Sequence, residues 1–296
     1  MRLLIPLFPL LLGAAFAAPP TLSRPWRLAE ICWEFAQPVE HFTSLEIDIT
    51  IDRDLPADLN LYISPCGIAE INQLRCGGGL QTNIDGWIDG EHRQRVHRGR
   101  GAIFSRWSED PLTLIGLDHV RPAGADCLVE SDGYEGELAS VRRPFPWTKG
   151  RYTWSLNQGA AELRDGQPVT WFTCRVQPQG QEAREVGSLR FEGSDFTYWA
   201  KHLAFVEVYP TEPQPHSGIP EVHVTFSAPR LNGAIPTLTK ASASYPNQGS
   251  PDYPDCARVQ ALGSHYSVAL GPTFPRDPGQ RRHPLALPSA KEASPP

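Results

Sequence analysis

The chain has 296 residues, of which 40% are hydrophobic and 20% charged, with 30 prolines, 25 glycines and a formal net charge of −6. That mild acidity argues against nucleic acid as a partner, because neutralising phosphates requires a basic surface. Basic residues comprise 23 Arg and only 4 Lys, which suggests a GC-rich bacterial genome, and no Asn-X-Ser/Thr acceptor is present.

Residues 1–18, MRLLIPLFPLLLGAAFAA, place one Arg before an apolar run that ends in Ala15-Phe16-Ala17. This is the pattern of a cleaved export signal, and its apolar run falls short of the roughly 20 residues a spanning helix needs. A secreted or periplasmic protein without a transmembrane segment is expected. In an oxidising compartment the six cysteines would pair. The expected bridges are Cys66–Cys76 across a hairpin, Cys32–Cys256 joining the two ends, and Cys127–Cys174. No CxxC occurs and no His lies beside a Cys, so a metal site is not expected.

Along the chain the pattern is nearly all strand. Leu45, Ile47, Ile49 and Ile51 alternate with Glu46, Asp48, Thr50 and Asp52, the period of a half-buried strand. Leu59–Ile63 follows, then the Gly77-Gly78-Gly79 segment and an Arg-rich loop. Strands are expected at Ile103–Trp107, Leu112–Leu117, Gly136–Val141, Tyr152–Leu156, Val169–Val176, Val186–Phe191, Leu203–Tyr209, Val222–Phe226 and Val259–Leu270. Trp26–Phe35 and Tyr198–Phe205 could each hold a helical turn. Short strands between Gly, Pro and Asp turns predict an all-β fold, an antiparallel β-sandwich or jelly roll of lectin-like type. One domain over residues 19–272 is expected, with 273–296 as a disordered Pro-rich tail.

Several clusters invite a chemical reading. Glu46, Asp48 and Thr50 sit where a retaining glycosidase strand would carry paired carboxylates, yet Thr50 stands in the acid's place, and a solvated acidic face is the simpler reading. The loop Glu91–Arg100 carries four Arg and two His. It could hold acidic sugars or phosphate through guanidinium forks, or be an ordinary solvated loop. Glu207 lies in a strand apolar on both faces, where a carboxylate is costly unless paired. It either pairs with Arg142 or Arg143, or lines a pocket. Glu135, between Tyr134 and Gly136, is a sugar contact or a plain turn acid. The acidic stretches Asp126–Asp132 and Asp252–Asp255 lack the ligand spacing of a calcium loop. No nucleophile motif or phosphate loop is present, and no cofactor is expected.

The order GGLQTN (78–83), GAIFSRW (101–107), YEGELASVRRPFPWTKGRYTWSL (134–156), TWFTC (170–174) and LAFVEVY (203–209) resembles the bacterial family known as domain of unknown function 3472. The resemblance spans roughly Trp26 to Gly271 and departs at the six cysteines and the Arg-rich insertion. It implies a lectin-like sandwich that binds a glycan. Trp107, Tyr134 and Trp147 would stack on sugar rings, while Gln81, Arg106, Glu135, Lys149 and Glu207 would supply polar contacts. Two rivals stand beside this reading. One is a glycoside hydrolase or polysaccharide lyase using Glu135 and Glu207. The other is a structural or protein-interaction module of the cell envelope, favoured if the indoles are core.

Overall fold

The computed structural model describes residues 21–22, 26–56, 59–110, 112–132, 136–208, 214–215, 219–246, 256–271, 274 and 281–288. Tyr134 and Glu135, the export signal and the Asp252–Asp255 stretch lie outside these residues.

The described residues form two large antiparallel sheets, as the strand pattern predicts. The eleven-stranded sheet runs, in spatial order, Arg282–Leu285, Leu238–Ser244, Trp26–Phe35, Lys201–Val208, Leu61–Ile71, Leu74–Gln81, Gly101–Trp107, Leu138–Pro144, Leu128–Asp132, Asp85–Trp87 and Arg95–His97. The nine-stranded sheet runs Ala257–Leu262, His265–Leu270, Val222–Ser227, Ser44–Ile51, Gly150–Arg164, Gln167–Pro178, Arg184–Glu192 and Val120–Pro122, with Arg230–Leu231 paired to Ser44–Ile51.

Period-2 alternation decides which side chains enter the space between the sheets. Leu45, Ile47, Ile49 and Ile51 are buried, and so are Tyr152, Trp154 and Leu156 on the neighbouring strand. From the other sheet Ala102, Phe104, Leu80 and Ile63 meet them, with the Phe104 and Trp154 rings edge to face at 6.4 Å. Gly78 is required at this contact, since a Cβ there would lie 2.7 Å from the Trp154 ring and 2.5 Å from the Ile103 carbonyl.

Local chemistry explains where the expected elements differ. Leu112–Leu117 is not a strand: the Asp110 carboxylate accepts from the Leu112 amide and the Thr113 hydroxyl, and Leu117 opens the short 3-10 helix Leu117–His119. Such side-chain turns compete with strand pairing. Trp26–Phe35 is a strand, and the second ambiguous segment ends in the strand Lys201–Val208. Val259–Leu270 is a hairpin of two strands that turns at Gly263, where φ is +62°. Arg282–Leu285, within the stretch expected to be a tail, adds an edge strand to Leu238–Ser244. No helix among the described residues is long and apolar enough to cross a membrane.

The expected disulfides do not form: Cys32, Cys66, Cys76, Cys127 and Cys174 are thiols. Bulges on either side of Cys66 set it opposite Gly78 and put Ala69 opposite Cys76. The Cys66 thiol instead hydrogen-bonds Cys76, which together with burial holds it well above the usual thiol pKa. Burial does the same for Cys174, while the Cys127 thiol points to the Val186 carbonyl at 3.5 Å.

Candidate functional site

A cavity of about 330 Å³ lies on the face of the eleven-stranded sheet that points away from its partner sheet. Small residues on neighbouring strands hollow its floor. Ser105 faces the fully buried Ser140 on one side and Gly77 on the other. Gly67 on the next strand continues the trench. A Cβ on Gly77 would meet the Cys66 and Gly67 carbonyls at 2.9 Å, and one on Gly67 would strike the Phe205 ring at 2.3 Å. Small residues thus let two strands and an aromatic ring close up beneath the opening. Trp107 and Leu138, a cross-strand pair, form one rim, and Ile103 forms the other.

The short hairpin Asp85–Trp87/Arg95–His97 supplies a wall through Asp85 and His97, a directly opposed pair. It is anchored electrostatically. Glu130, fully buried, is shared by Arg95 and by Arg142, the latter at 2.5 Å, and Arg95 also donates to Asp85 at 2.8 Å. Its partners, Asp85 and Glu130 among them, hold the Arg95 guanidinium above its usual pKa despite partial burial. Gly86 lies over Arg142: a Cβ there would be 3.0 Å from Nη1. At the opposite end Phe205 and Glu207 project from Lys201–Val208. Arg27 reaches Glu207 at 3.5 Å and Glu30 at 2.9 Å, and its guanidinium lies 4.7 Å from the Phe205 ring centre.

The expected ligand residues divide accordingly. Gln81, Trp107 and Glu207 come together on this cavity. Trp147 does not: it is 1% exposed, and its indole N–H donates to the carbonyls of Gln81 at 3.0 Å and Gly101 at 3.3 Å. It therefore positions the backbone of Gln81 from below instead of stacking on a ligand. Arg106 also turns inward, at 4% exposure, donating to the Arg190 carbonyl and reaching Glu192 at 3.2 Å. The alternation explains this, since Ala102, Phe104 and Arg106 share the inner face while Ile103, Ser105 and Trp107 share the outer. Lys149 stays at the exposed corner, where its amide donates to Asp54. Glu207 is both paired and cavity-lining, although its cation is Arg27 and not Arg142 or Arg143. Arg143 instead crosses to Asp126 and the Glu185 carbonyl.

Sequence reasoning missed Arg27, Tyr62, Arg75, Asp85, His97 and Arg142 on the cavity. The outward set Leu138, Ser140, Arg142 could have been read from alternation. The three-residue strands that bring Asp85 and His97 carry too few residues for any period. The Arg-rich loop is largely structural. Arg95 anchors the hairpin, Arg100 donates to the carbonyls of Trp147 and Leu55, and Arg93 lies 5.1 Å from the Trp87 ring centre. The Glu46–Asp48 strand is a solvated acidic face that clamps Arg230, Asp48 at 2.8 Å and Glu46 at 3.3 Å. Among the described residues no cluster of His, Cys, Asp and Glu is arranged to hold a metal.

No family model and no curated protein matches the chain. Among solved structures it is similar to a Scytalido-glutamic peptidase bound to a peptide-based transition-state analogue, at 8% identity and a TM-score of 0.39, covering 84% of this chain and 99% of that one. SCP-B, a member of the Eqolisin family of peptidases, is similar at 9% identity and a TM-score of 0.31, covering 84% and 99%. A PL-14 alginate lyase from Aplysia kurodai is similar at 12% identity and a TM-score of 0.24, covering 64% and 72%. None of these likenesses bears on the chemistry of the cavity.

Proposed function

We propose that this is an exported lectin-like protein that binds a carbohydrate in the cavity of the eleven-stranded sheet. The observation that carries the reading is that Gln81, Trp107 and Glu207, more than a hundred residues apart at the extremes, line one hollow. Rings of Trp107, Tyr62 and Phe205 border it, and the side chains of Gln81, Asn83, Asn60, Asp85 and Glu207 supply amides and carboxylates. Sugars ask for that combination: apolar C–H faces stack on rings, while hydroxyls hydrogen-bond to fixed polar groups at the edge. The resemblance to domain of unknown function 3472 carries the same implication.

The test is a glycan array with the folded chain and with Trp107→Ala. Binding by the native chain that falls about tenfold or more in the variant, with unchanged melting, supports the reading. A blank array contradicts it. Turnover of a polysaccharide panel that Glu207→Gln abolishes would move the protein to the hydrolase or lyase class.

A further inference from the structure

We infer that the cavity takes a linear oligosaccharide that lies along the strand Leu74–Gln81 and is gripped at both ends of it. The inference rests on the carbohydrate reading above and adds the length and direction of the ligand. On this strand Arg75, Gly77, Gly79 and Gln81 share the outward face, while Cys76, Gly78 and Leu80 share the inner one. Arg75 and Gln81 both line the cavity, with Gly77 between them. Pairing with Gly101–Trp107 runs from Cys76 to Gln81 without a bulge, so the strand is regular here. At about 3.3 Å of rise per residue, the cavity therefore reaches roughly 20 Å from Arg75 to Gln81.

Each end combines a ring with hydrogen-bonding side chains. At one end the register carries Trp107 one place beyond the Cys76–Arg106 pair, level with Arg75. At the other, Tyr62 stands between Gln81 on one neighbouring strand and Glu207 on the other. The Tyr62 ring is half-buried, and the buried Phe205 ring supports it edge to face at 5.3 Å. Between the ends the floor is built of Gly67, Gly77 and Ser105, whose small side chains leave room for a chain to pass. One sugar ring cannot touch both Trp107 and Tyr62 across that span, whereas a chain of several rings can. A volume of about 330 Å³ lies at the low end for a ligand site, and drawn out over such a length it makes a slot that suits a linear chain better than a branched one. A ligand that reaches both ends gains a second stacking contact without a second loss of translational freedom, so affinity should climb with chain length.

The experiment is calorimetric titration of the folded chain with ladders of two to six units from a β-1,4-glucan, a β-1,4-mannan, a β-1,4-xylan and a polyuronate. In the ladder that binds, the hexasaccharide is expected to bind about tenfold or more tightly than the disaccharide. Tyr62→Ala and Gln81→Ala, at the end remote from Trp107, should flatten that rise until the two lengths bind within about twofold of each other. Should Tyr62→Ala fail to fold through its contact with Phe205, Gln81→Ala decides, since the hydrogen bond from Trp147 goes to its main-chain carbonyl and survives the change. Equal binding of disaccharide and hexasaccharide by the native chain overturns the inference and leaves the carbohydrate reading standing. A rise with length that the folded variants keep does the same, because the added contacts would then lie elsewhere. Binding of no ladder at any length overturns both.

Discussion

The two sheets present opposite outer faces, although both are built by the same alternation. On the nine-stranded sheet Asp48, Thr50, Thr153, Gln177, Thr225 and His265 border a groove of about 680 Å³ that is more open than the cavity. Its charges are half in water: Asp48 and Arg230 pair at 2.8 Å with side chains 42% and 27% exposed. On the eleven-stranded sheet a short hairpin walls the face, and Glu130 and Arg142 sit at 0% and 6% side-chain exposure. The difference lies in what covers the strands and in the small residues Gly67, Gly77 and Ser105 that hollow the covered face. Covering a polar face removes water from its charges and makes each one consequential, whereas a bare face of Thr and Gln leaves them screened.

Glu130→Gln should break this contrast most severely. It leaves Arg95 and Arg142 without their shared counter-charge, so chemical denaturation should show a loss of about 3–5 kcal/mol. His202 gives the next largest effect, from beneath the cavity. Its Nε2–H donates to the Pro65 carbonyl at 2.7 Å and its Nδ1 accepts from the Tyr198 hydroxyl at 2.6 Å, an arrangement that needs the neutral ring. Burial lowers its pKa to about 4. The unfolded chain therefore binds the extra proton first. Stability from this residue is complete above an unfolded pKa near 6.5 and is lost progressively as the pH falls toward 4, by about 3 kcal/mol in all. Comparing pH-dependent melting of the native chain with His202→Phe isolates that loss, which the variant should not show.

Gly67→Ala sharpens the comparison at the cavity floor. The new methyl must displace the Phe205 ring, costing roughly 1–3 kcal/mol in denaturant titration and weakening ligand binding at the same time. Asp48→Asn, on the open face, should change stability by less than about 1 kcal/mol, since its pair with Arg230 is partly solvated. A cost as large as that of Glu130→Gln would erase the distinction between the faces.

What the sequence made legible follows from this contrast. Alternation alone placed Ile47, Ile49, Trp154 and Leu156 on the buried faces of their strands. Trp107 was singled out by the family resemblance and not by alternation, and Glu207 stood out as a carboxylate in a strand apolar on both faces. Alternation gave no guide at Trp147, because a Pro-flanked corner has no period and its indole turns in toward two carbonyls. Arg106 was misread because a guanidinium on an inner face looks like a surface residue until the Arg190 carbonyl across the sheets is known. The cavity wall was invisible for another reason. Asp85 and His97 reach it through three-residue strands held by Glu130, more than thirty residues further on.

The most direct test of the account measures glycan affinity for two variants side by side, Trp107→Ala in the cavity and Thr153→Ala in the groove, each checked for native melting. The account predicts that the first loses about tenfold or more while the second keeps the native affinity. Loss of affinity at Thr153, or none at Trp107, would contradict it.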